Sequence, residues 1–465
     1  MNDPRGPYPP NQPNQPNQPN HPGPQGWGNQ QQPWQPPNQP GPRDWQPQPQ
    51  QSPQLQQPPR QAAPGASSSS TIPPTGAKSG SKKGLIIGGA VLAALVLVAA
   101  VAFGAFKLFT GGDHEPSHIA AGNFASCAVS GGEVYCWGDN GYLHLGVEET
   151  DTDFLEPTKI EGLSGITSIY ANAGNACAVD SDGTPHCWGD SLSYWNGAKS
   201  ATPVLIEGFT ADEFRPGYFT SCGLRDGKVS CQGNNYFSHL GPQDRQFEVG
   251  EVVAIDGLPD IVELAPVGST VYALDADGAV WAWGEAGDGG IPGATEDKVF
   301  PPMKIEGLPA ASAIHSASWL GSQACIIEEG TGDVWCWGEN GKGESGQPVA
   351  GDTAEFVAVP MKVEGVTGAT ALAGESGMVA LLDDGTVVEW GRGVATMVGT
   401  DQWHVPRPVE GAADVVEIAA GAAHLLMVTS DGTIKAVGSN FSGQLGDGTG
   451  EDPKEVVDVK GIKAG

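Results

Sequence analysis

Short runs of alternating apolar and polar residues, separated by turn residues, fill most of positions 117–465. One pattern returns seven times: an apolar run, a Gly-containing turn, a second run ending near Trp-Gly, a loop, and a Pro followed by a V/I-x-G segment. The second runs include EVYCWGDN at 133–140, DVWCWGEN at 333–340 and TIKAVGSN at 433–440. Period-two alternation bounded by turn residues predicts β-strands, so this part of the chain is predicted to be all-β.

The spacing of the repeats predicts how these strands are arranged. Successive repeats lie about 45–58 residues apart, which is too short for an independent domain but suits one four-stranded blade of a β-propeller. Closing the blades into a ring removes the exposed sheet edges that an open array would leave. The sequence therefore predicts a seven-bladed β-propeller over residues 117–465.

These residues resemble the RCC1 repeat family, whose pattern is a strand, a D-G turn, V-x-x-W-G-x-N and then G-x-L-G. The similarity is strongest in SDGTIKAVGSNFSGQLGDGT at 430–449 and in GEVYCWGDNGYLHLG at 132–146, while WD40 and kelch signatures are absent. Repeat 3 has Gln232 and repeat 7 has Val437 where Trp is usual, and repeats 4 to 6 lack G-x-L-G. The resemblance implies an RCC1-like propeller, here of a membrane-anchored bacterial type. It implies no single function, because this fold is used by exchange factors, enzyme inhibitors and adaptors.

A different pattern precedes the repeats. Residues 1–83 are dominated by Pro, Gln, Asn and Ser, which predicts a disordered tail with polyproline II character that serves as a spacer or as a docking segment. Residues 84–109 are predicted to form one transmembrane helix. Within them, positions 85–106 carry no charge over 22 residues, enough to cross about 30 Å of hydrocarbon.

Charge predicts the orientation. Lys78, Lys82 and Lys83 precede the apolar run and Asp113 and Glu115 follow it, so the positive-inside rule places the tail in the cytoplasm and the propeller outside the plasma membrane. Of the 23 basic and 54 acidic residues, 16 and 52 lie in positions 111–465, a net charge of −36. That field repels nucleic acid, so no nucleic-acid partner is expected.

The eight Cys occur in pairs within four repeats, one before the turn and one just before the Trp-Gly position. In the first pair the turn Gly131-Gly132 lies midway, so counting along a two-residue hairpin sets Cys127 opposite Cys136. Metal binding is the rival interpretation, but the CxxC spacing and a recurring His are missing. We therefore predict four disulfides within repeats, which agrees with an oxidising compartment: Cys127–Cys136, Cys177–Cys187, Cys222–Cys231 and Cys325–Cys336.

The sequence contains no recognisable catalytic, metal or cofactor motif. The eight His after the apolar run are expected at unrelated repeat positions, and the RCC1 resemblance suggests a structural role for His424 at a strand start. Asp447, Glu451 and Asp452 crowd one loop without the order of an EF-hand, so an acidic turn is favoured over a calcium site. The Trp residues that recur in register are predicted to pack between blades: Trp137, Trp188, Trp283, Trp337 and Trp390.

Aromatic residues in the loop after each second run break the repeat. They occur in repeats 7, 1, 2 and 3, which are neighbours in a closed ring, and are absent from repeats 4, 5 and 6. These candidate rim aromatics are Tyr142, Tyr194, Trp195, Tyr236, Phe237 and Phe441. They are either interface anchors or residues that pack under their loops, and Glu285 and Glu344 are their expected exposed counterparts in the aromatic-free loops.

The predicted function is that of a binding module for an extracytoplasmic protein or envelope component, not an enzyme. An inhibitor of a cell-wall or β-lactam-hydrolysing enzyme is a narrower alternative, and an uncharacterised lyase or hydrolase is a third class. A guanine-nucleotide exchange role is disfavoured, because the propeller would face away from cytoplasmic GTPases.

Overall fold

The computed structural model describes most of residues 117–465. The described ranges are 117–148, 152–172, 174–192, 196–217, 219–241, 251–286, 290–292, 294, 299–317, 323–348, 356–375, 377–392, 394 and 404–465. Across these ranges, no helix is long and apolar enough to cross a bilayer. The predicted tail at 1–83 and the predicted transmembrane segment at 84–109 lie outside the described residues.

Within the described residues, 28 strands form seven four-stranded antiparallel sheets. Strands of the first four blades are β1 (Ile119–Ala121), β2 (Ala125–Ser130), β3 (Glu133–Gly138), β4 (Phe154–Lys159), β5 (Ile166–Ala171), β6 (Asn175–Asp180), β7 (Pro185–Gly189), β8 (Ser200–Leu205), β9 (Glu213–Arg215), β10 (Thr220–Arg225), β11 (Lys228–Gly233), β12 (Val253–Ala254), β13 (Ile261–Val267), β14 (Thr270–Asp275), β15 (Val280–Glu285) and β16 (Val299–Lys304). Strands of the last three are β17 (Ala311–Ala317), β18 (Gln323–Glu328), β19 (Val334–Glu339), β20 (Phe356–Lys362), β21 (Ala369–Gly374), β22 (Gly377–Leu382), β23 (Val387–Gly391), β24 (Arg407–Pro408), β25 (Val415–Ala420), β26 (His424–Thr429), β27 (Thr433–Gly438) and β28 (Val457–Lys463).

Each sheet is one blade, and each blade is one sequence repeat. Its strands pair in chain order, from an inner strand at the ring centre to an outer strand at the periphery. The inner strands contact one another around the ring, including β25 of blade 7 with β1 of blade 1. The predicted all-β, seven-bladed propeller is therefore confirmed.

The hydrophobic core lies between blades. Seven clusters of buried side chains each join residues of two neighbouring blades, and the last joins blade 7 to blade 1. The five Trp that recur in register are all completely buried in these clusters or beside them, as predicted. Each removes roughly 150–250 Å² from water, so the blade interfaces provide the main apolar burial of the ring.

Proline marks the outer strands, where a missing backbone N–H removes no necessary ladder bond. It occurs at Pro157 in β4, Pro203 in β8, Pro360 in β20 and Pro408 in β24, and twice in β16. These strands form the exposed edges of the blades. Proline there discourages pairing with another chain, which explains why it recurs in five of the seven outer strands.

The contact between blades 7 and 1 closes the ring without a direct chain connection. Glu417 Oε1 accepts hydrogen bonds from His118 N (2.7 Å) and Ile119 N (3.2 Å) of blade 1, and its Oε2 lies 3.1 Å from His118 Nδ1. Gly465 exchanges backbone hydrogen bonds with the β2–β3 hairpin at Gly131 and Val129. We call this contact the seam.

Candidate functional site

All four predicted disulfides are present with the predicted pairing. In each, the two Cys face each other across the second and third strands of one blade, with their Cα atoms 4.1 Å apart. The Cys pairs are buried beside the innermost strand. They stabilise the blades and leave no free thiol among the described residues.

The loop after the third strand has one frame in blades 1, 3, 5 and 7. An Asn begins it, and the Asn carbonyl oxygen at Oδ1 accepts the N–H five residues later at 2.9–3.0 Å. The four residues are Asn140, Asn235, Asn340 and Asn440, all buried. The fourth loop residue donates its N–H to the backbone carbonyl of the same Asn and lies in the left-handed region. It is Gly343 or Gly443 in two blades but Leu143 (φ 62°) and Ser238 (φ 59°) in the others.

In these four blades the rim loop also holds the blade that follows. The backbone carbonyl of the residue before the Asn-bonded N–H accepts a hydrogen bond from the buried Trp indole of the following blade. The bonds are Trp188 Nε1 to His144 O (2.7 Å), Trp283 Nε1 to His239 O (2.8 Å), Trp390 Nε1 to Glu344 O (2.9 Å) and Trp137 Nε1 to Gln444 O (2.9 Å).

Two sequence expectations are wrong at this position. His144 and His239 are not at unrelated repeat positions: they are equivalent residues, one in blade 1 and one in blade 3, and both are buried. Glu344 is not an exposed counterpart of the rim aromatics. It is 7% exposed because its backbone holds the next blade and its carboxylate accepts Lys342 N (2.7 Å).

The described rim aromatics differ in exposure. Phe441 is 58% exposed, Tyr142 38% and Tyr236 36%. Phe237 is half-buried, with its ring centroid 5.2 Å from that of Phe219. Tyr194 and Trp195 of blade 2 lie outside the described residues. Exposed aromatic rings thus occur on the rim loops of blades 7, 1 and 3.

Blade 5 supplies an internal control for these aromatics. Its loop keeps the Asn340 frame although Ser345 replaces the Leu of G-x-L-G. At the positions equivalent to Tyr236 and Phe237 it carries Gly341 and Lys342. The loop frame therefore forms without any aromatic residue.

The acidic loop of blade 7 uses its carboxylates to hold its own backbone. Asp447 accepts from Thr449 N (2.9 Å) and Asn440 Nδ2 (3.0 Å), and Asp452 accepts from the backbone N–H of Asn440. No group of three or more potential metal ligands occurs within the described ranges. His424 is fully buried at the start of β26, with Nε2 2.8 Å from Ser126 Oγ of blade 1, in agreement with the predicted structural role.

The inner strands of all seven blades enclose a central channel of about 380 Å³. Seven equivalent residues, one from the first strand of each blade, line the channel at one level. Each pairs with the same position of the second strand, which is the first Cys in the blades that have a disulfide. They are Ala120, Tyr170, Arg215, Ala265, His315, Ala373 and Ala419. Four of the seven are Ala, so the larger polar residues come from blades 2, 3 and 5. Sequence reasoning missed this ring.

Polar contacts fix these three side chains. Arg215 donates from Nε to the buried carboxylate of Glu213, and its guanidinium carbon lies 5.0 Å from the centre of the Tyr170 ring. Burial opposes its charge, but Glu213 and Tyr170 hold the pKa of Arg215 above the ordinary value. His315 Nε2 lies 3.1 Å from Gly374 O, and burial lowers the pKa of its imidazole to about 4. His315 is therefore neutral, with Nε2 protonated and Nδ1 free to accept.

Two carboxyl groups line the same channel. Glu263 Oε2 accepts Ile314 N of the next blade at 2.9 Å. Burial, together with Glu213 nearby, raises the pKa of Glu263 to about 7. Burial likewise raises the pKa of Glu375 to about 7. Its Oε2 is buried without a hydrogen-bond partner among the described residues.

Seven copies of one strand–turn–strand unit, closed into a ring and joined by Trp-capping loops, define the chain as a repeat propeller. Two family models described as "Regulator of chromosome condensation (RCC1) repeat" match residues 131–179 and 415–444. The propeller is therefore RCC1-like, in agreement with its resemblance to that family.

Curated relatives agree with this assignment. The chain is 27% identical over 366 residues to E3 ubiquitin-protein ligase HERC2 of Mus musculus, covering 72% of this chain but 7% of the relative. It is 26% identical over 364 residues to the ultraviolet-B receptor UVR8 of Arabidopsis thaliana, covering 72% of this chain and 79% of the relative. RCC1 repeats thus occur in proteins of unlike activity.

Among solved structures, yeast RCC1 (Prp20), determined with Kap60 bound, matches with a TM-score of 0.60. The match covers 76% of this chain and 90% of that chain at 20% identity. A likeness at that identity supports the fold alone. RCC1-like propellers are protein-interaction modules, and the residues that carry a particular interaction have to be sought in this chain itself.

Proposed function

We propose that this chain is a membrane-anchored, extracytoplasmic binding module, and that a protein or envelope component docks on the rim loops of blades 7, 1, 2 and 3. The observation that carries the proposal is the comparison with blade 5. Four rim loops share the Asn frame, yet exposed aromatic rings occur in three of them and none in the fourth. Since the frame does not require aromatics, their exposure is better explained by binding.

The physics of recognition supports this surface. Aromatic rings on rigid loops give a large contact area at a small entropy cost, and they are frequent anchors at interfaces. Phe441 keeps 58% of its surface exposed even though its ring centroid lies 5.0 Å from that of Phe124. The Asn frame fixes the backbone beneath each ring, so a partner would meet a surface that is already ordered.

The membrane anchor rests on the apolar, uncharged segment at 84–109 and on the lysines before it. Four buried disulfides support an oxidising compartment for the propeller. External protease on intact cells should remove the propeller and spare a tag on Met1. Loss of the tag with protection of the propeller would reverse the proposed orientation.

Site-specific photocrosslinking tests the docking surface. A benzophenone amino acid placed at Phe441 or Tyr236 should crosslink a discrete partner in intact membranes. The matched control is Lys342, an exposed residue on the aromatic-free loop of the same frame. Equal crosslinking from position 342, or none from 441 and 236, would contradict the proposal.

Once the crosslinked partner is identified, truncation gives the energetic test. Phe441→Ala and Tyr236→Ala should weaken its binding by about 2 kcal/mol or more if the rings are anchors. Both should change stability by less than about 0.5 kcal/mol because the rings are exposed. Phe237 is less suitable for this test, since its half-buried ring packs against Phe219.

A further inference from the structure

The central channel contains a second feature that the ring symmetry does not explain. At the level of Arg215, seven blades offer seven equivalent positions, and four are filled by Ala. Ala at most of these positions shows that the ring closes without larger side chains there. The polar residues Tyr170, Arg215 and His315 therefore need a reason other than closure.

Arg215 is held in one orientation but is not fully used. Its Nε donates to Glu213, and its guanidinium carbon lies over the ring of Tyr170. The other guanidinium nitrogens bond to none of the described residues, and 37% of the side-chain surface is open to the channel. The guanidinium thus keeps N–H groups for a ligand, and two parallel N–H groups of one guanidinium can bind a planar carboxylate through two hydrogen bonds.

The surroundings limit the charge of a ligand. Arg215 is the sole Lys or Arg among the described residues that line the channel, and Glu263 and Glu375 line it too. A dianion would meet one cation and two carboxyl groups, whereas a monoanion is neutralised by Arg215 alone. Glu375 Oε2, buried without a partner among the described residues, and His315 Nδ1 offer further polar contacts. The volume of about 380 Å³ is that of a small-molecule site.

We propose that the central channel is a binding site for a small organic monocarboxylate, whose carboxylate accepts two hydrogen bonds from the open edge of the Arg215 guanidinium above Tyr170. This site is separate from the rim loops and does not rest on their proposed role. Tyr170 and Glu213 are positioning residues, because they set the direction of the guanidinium.

The simpler explanation is that Arg215 only neutralises the buried carboxylate of Glu213. The chain contains a second pair of this kind for comparison. In blade 6, Arg407 lies 3.8 Å from the fully buried Glu389, between the third and fourth strands and away from the channel. A purely neutralising role would make the two arginines equivalent in every ligand-binding measurement.

The test uses three ligands of one shape and different charge, with the purified full-length chain. Benzoate, benzamide and benzamidine are titrated by ligand-observed NMR and calorimetry, with inorganic phosphate alongside. Benzoate should bind at least about tenfold more tightly than the other three, because a charge-assisted bidentate pair forms with benzoate alone. Preferred binding of benzamidine or phosphate, or no benzoate binding at about 10 mM, would overturn the proposal.

Variants then locate the site. Arg215→Lys keeps a cation beside Glu213 but loses the planar donor edge, and should weaken benzoate binding about tenfold or more. The double variant Glu213→Gln/Arg215→Gln removes the buried pair without leaving a lone charge, and should abolish the preference for benzoate over benzamide. Arg407→Gln is the matched control and should keep it. Benzoate binding that is unchanged in both Arg215 variants, or lost equally in the Arg407 variant, would contradict the assignment.

Discussion

Blades 1, 2, 3 and 5 and blades 4, 6 and 7 fill one equivalent core position in different ways. The first group places a disulfide between the second and third strands. The second group places Tyr272 opposite Ala282, Val379 opposite Glu389, and Leu426 opposite Ala436. All these residues are buried.

The difference teaches that the disulfides are not needed to bring these strands together. Strand pairing is equally regular in both groups, so the backbone ladder and the blade interfaces suffice for the geometry. In the second group a larger residue faces a smaller or polar one, and each polar group has a partner. The core position between these strands therefore has to be filled by side chains, and several residue pairs can fill it. A disulfide fills it and also constrains the unfolded chain.

Among the changes at this core position, removing one disulfide should lower stability the most. Cys127→Ala/Cys136→Ala should lower the free energy of unfolding by about 3 kcal/mol, since the crosslink is lost and a small cavity forms. Denaturant unfolding of the purified protein would measure it. The matched control, Cys127→Leu/Cys136→Ala, copies blade 7 and should recover part of the loss. Equal stability of the Ala pair and the native protein would show that the crosslink contributes nothing.

The next largest loss of stability should come from blade 6, where the buried Glu389 fills the core position. Glu389 Oε2 accepts Val394 N at 3.0 Å and Oε1 faces Arg407. Glu389→Ala should destabilise the protein by about 2 kcal/mol, because both groups lose a buried acceptor. Glu389→Gln keeps an acceptor for Val394 and should lose less. An Ala variant as stable as the Gln variant would contradict the assigned bonds.

Blade 4, where Tyr272 fills the core position, should lose less stability on a conservative substitution. The Tyr272 hydroxyl donates to Gly290 O, which also accepts Trp337 Nε1 at 3.3 Å. Tyr272→Phe should therefore cost about 1 kcal/mol, as the carbonyl keeps one partner. A thermal unfolding scan beside Tyr272→Ala would check it. A Phe variant as damaged as the Ala variant would mean that the ring itself is displaced.

The smallest expected effect on stability is its dependence on pH, which arises at an equivalent position of the rim loops. Burial lowers the pKa of His239 to about 4, so its stabilising contribution is complete above about pH 6.5 and is lost as the pH falls towards 4. Burial raises the pKa of the equivalent Glu344, so its contribution is complete below its unfolded pKa and is lost as the pH rises through the folded value.

Gln444 occupies the same position in blade 7 and does not titrate. His239→Gln should therefore flatten the acid side of a plot of unfolding temperature against pH, and Glu344→Gln the opposite side. Where the native group keeps its uncharged form, each substitution should change the free energy of unfolding by about 1 kcal/mol or less. Parallel curves for the native protein and both variants would exclude these two groups as titrating contributors.

The sequence predicted those features of the fold that recur at fixed spacing. Seven recurring runs, five of them ending in Trp-Gly, predicted seven blades, and the turn at Gly131-Gly132 predicted which Cys face each other. The recurring x-N after Trp-Gly also marked the Asn of the rim frame, although its reach to a backbone N–H five residues on required the structure. In blade 5 the frame survives because Asn340 needs only a backbone partner, so the loss of Leu at Ser345 was misleading.

The channel could not be predicted from the sequence. Tyr170, Arg215 and His315 lie in three separate repeats, within strands of unequal length, and β9 has only three residues. Strand register alone shows that they share one level, since each pairs with Cys177, Cys222 or Cys325. The burial of Glu344 was missed for a related reason, because a charged residue in a polar loop gives no sign that the next blade covers it.

The seam gives the ring a preferred point of failure under mechanical load. Six joints between blades are continuous polypeptide, whereas the seam depends on Glu417, the Gly465 backbone and buried side chains such as His424. Tension applied through the segment before Ser117 acts on β1, the strand that Glu417 caps. The contacts of the seam would then break one after another and not all at once. The contacts at this joint therefore set the force at which the closed ring opens.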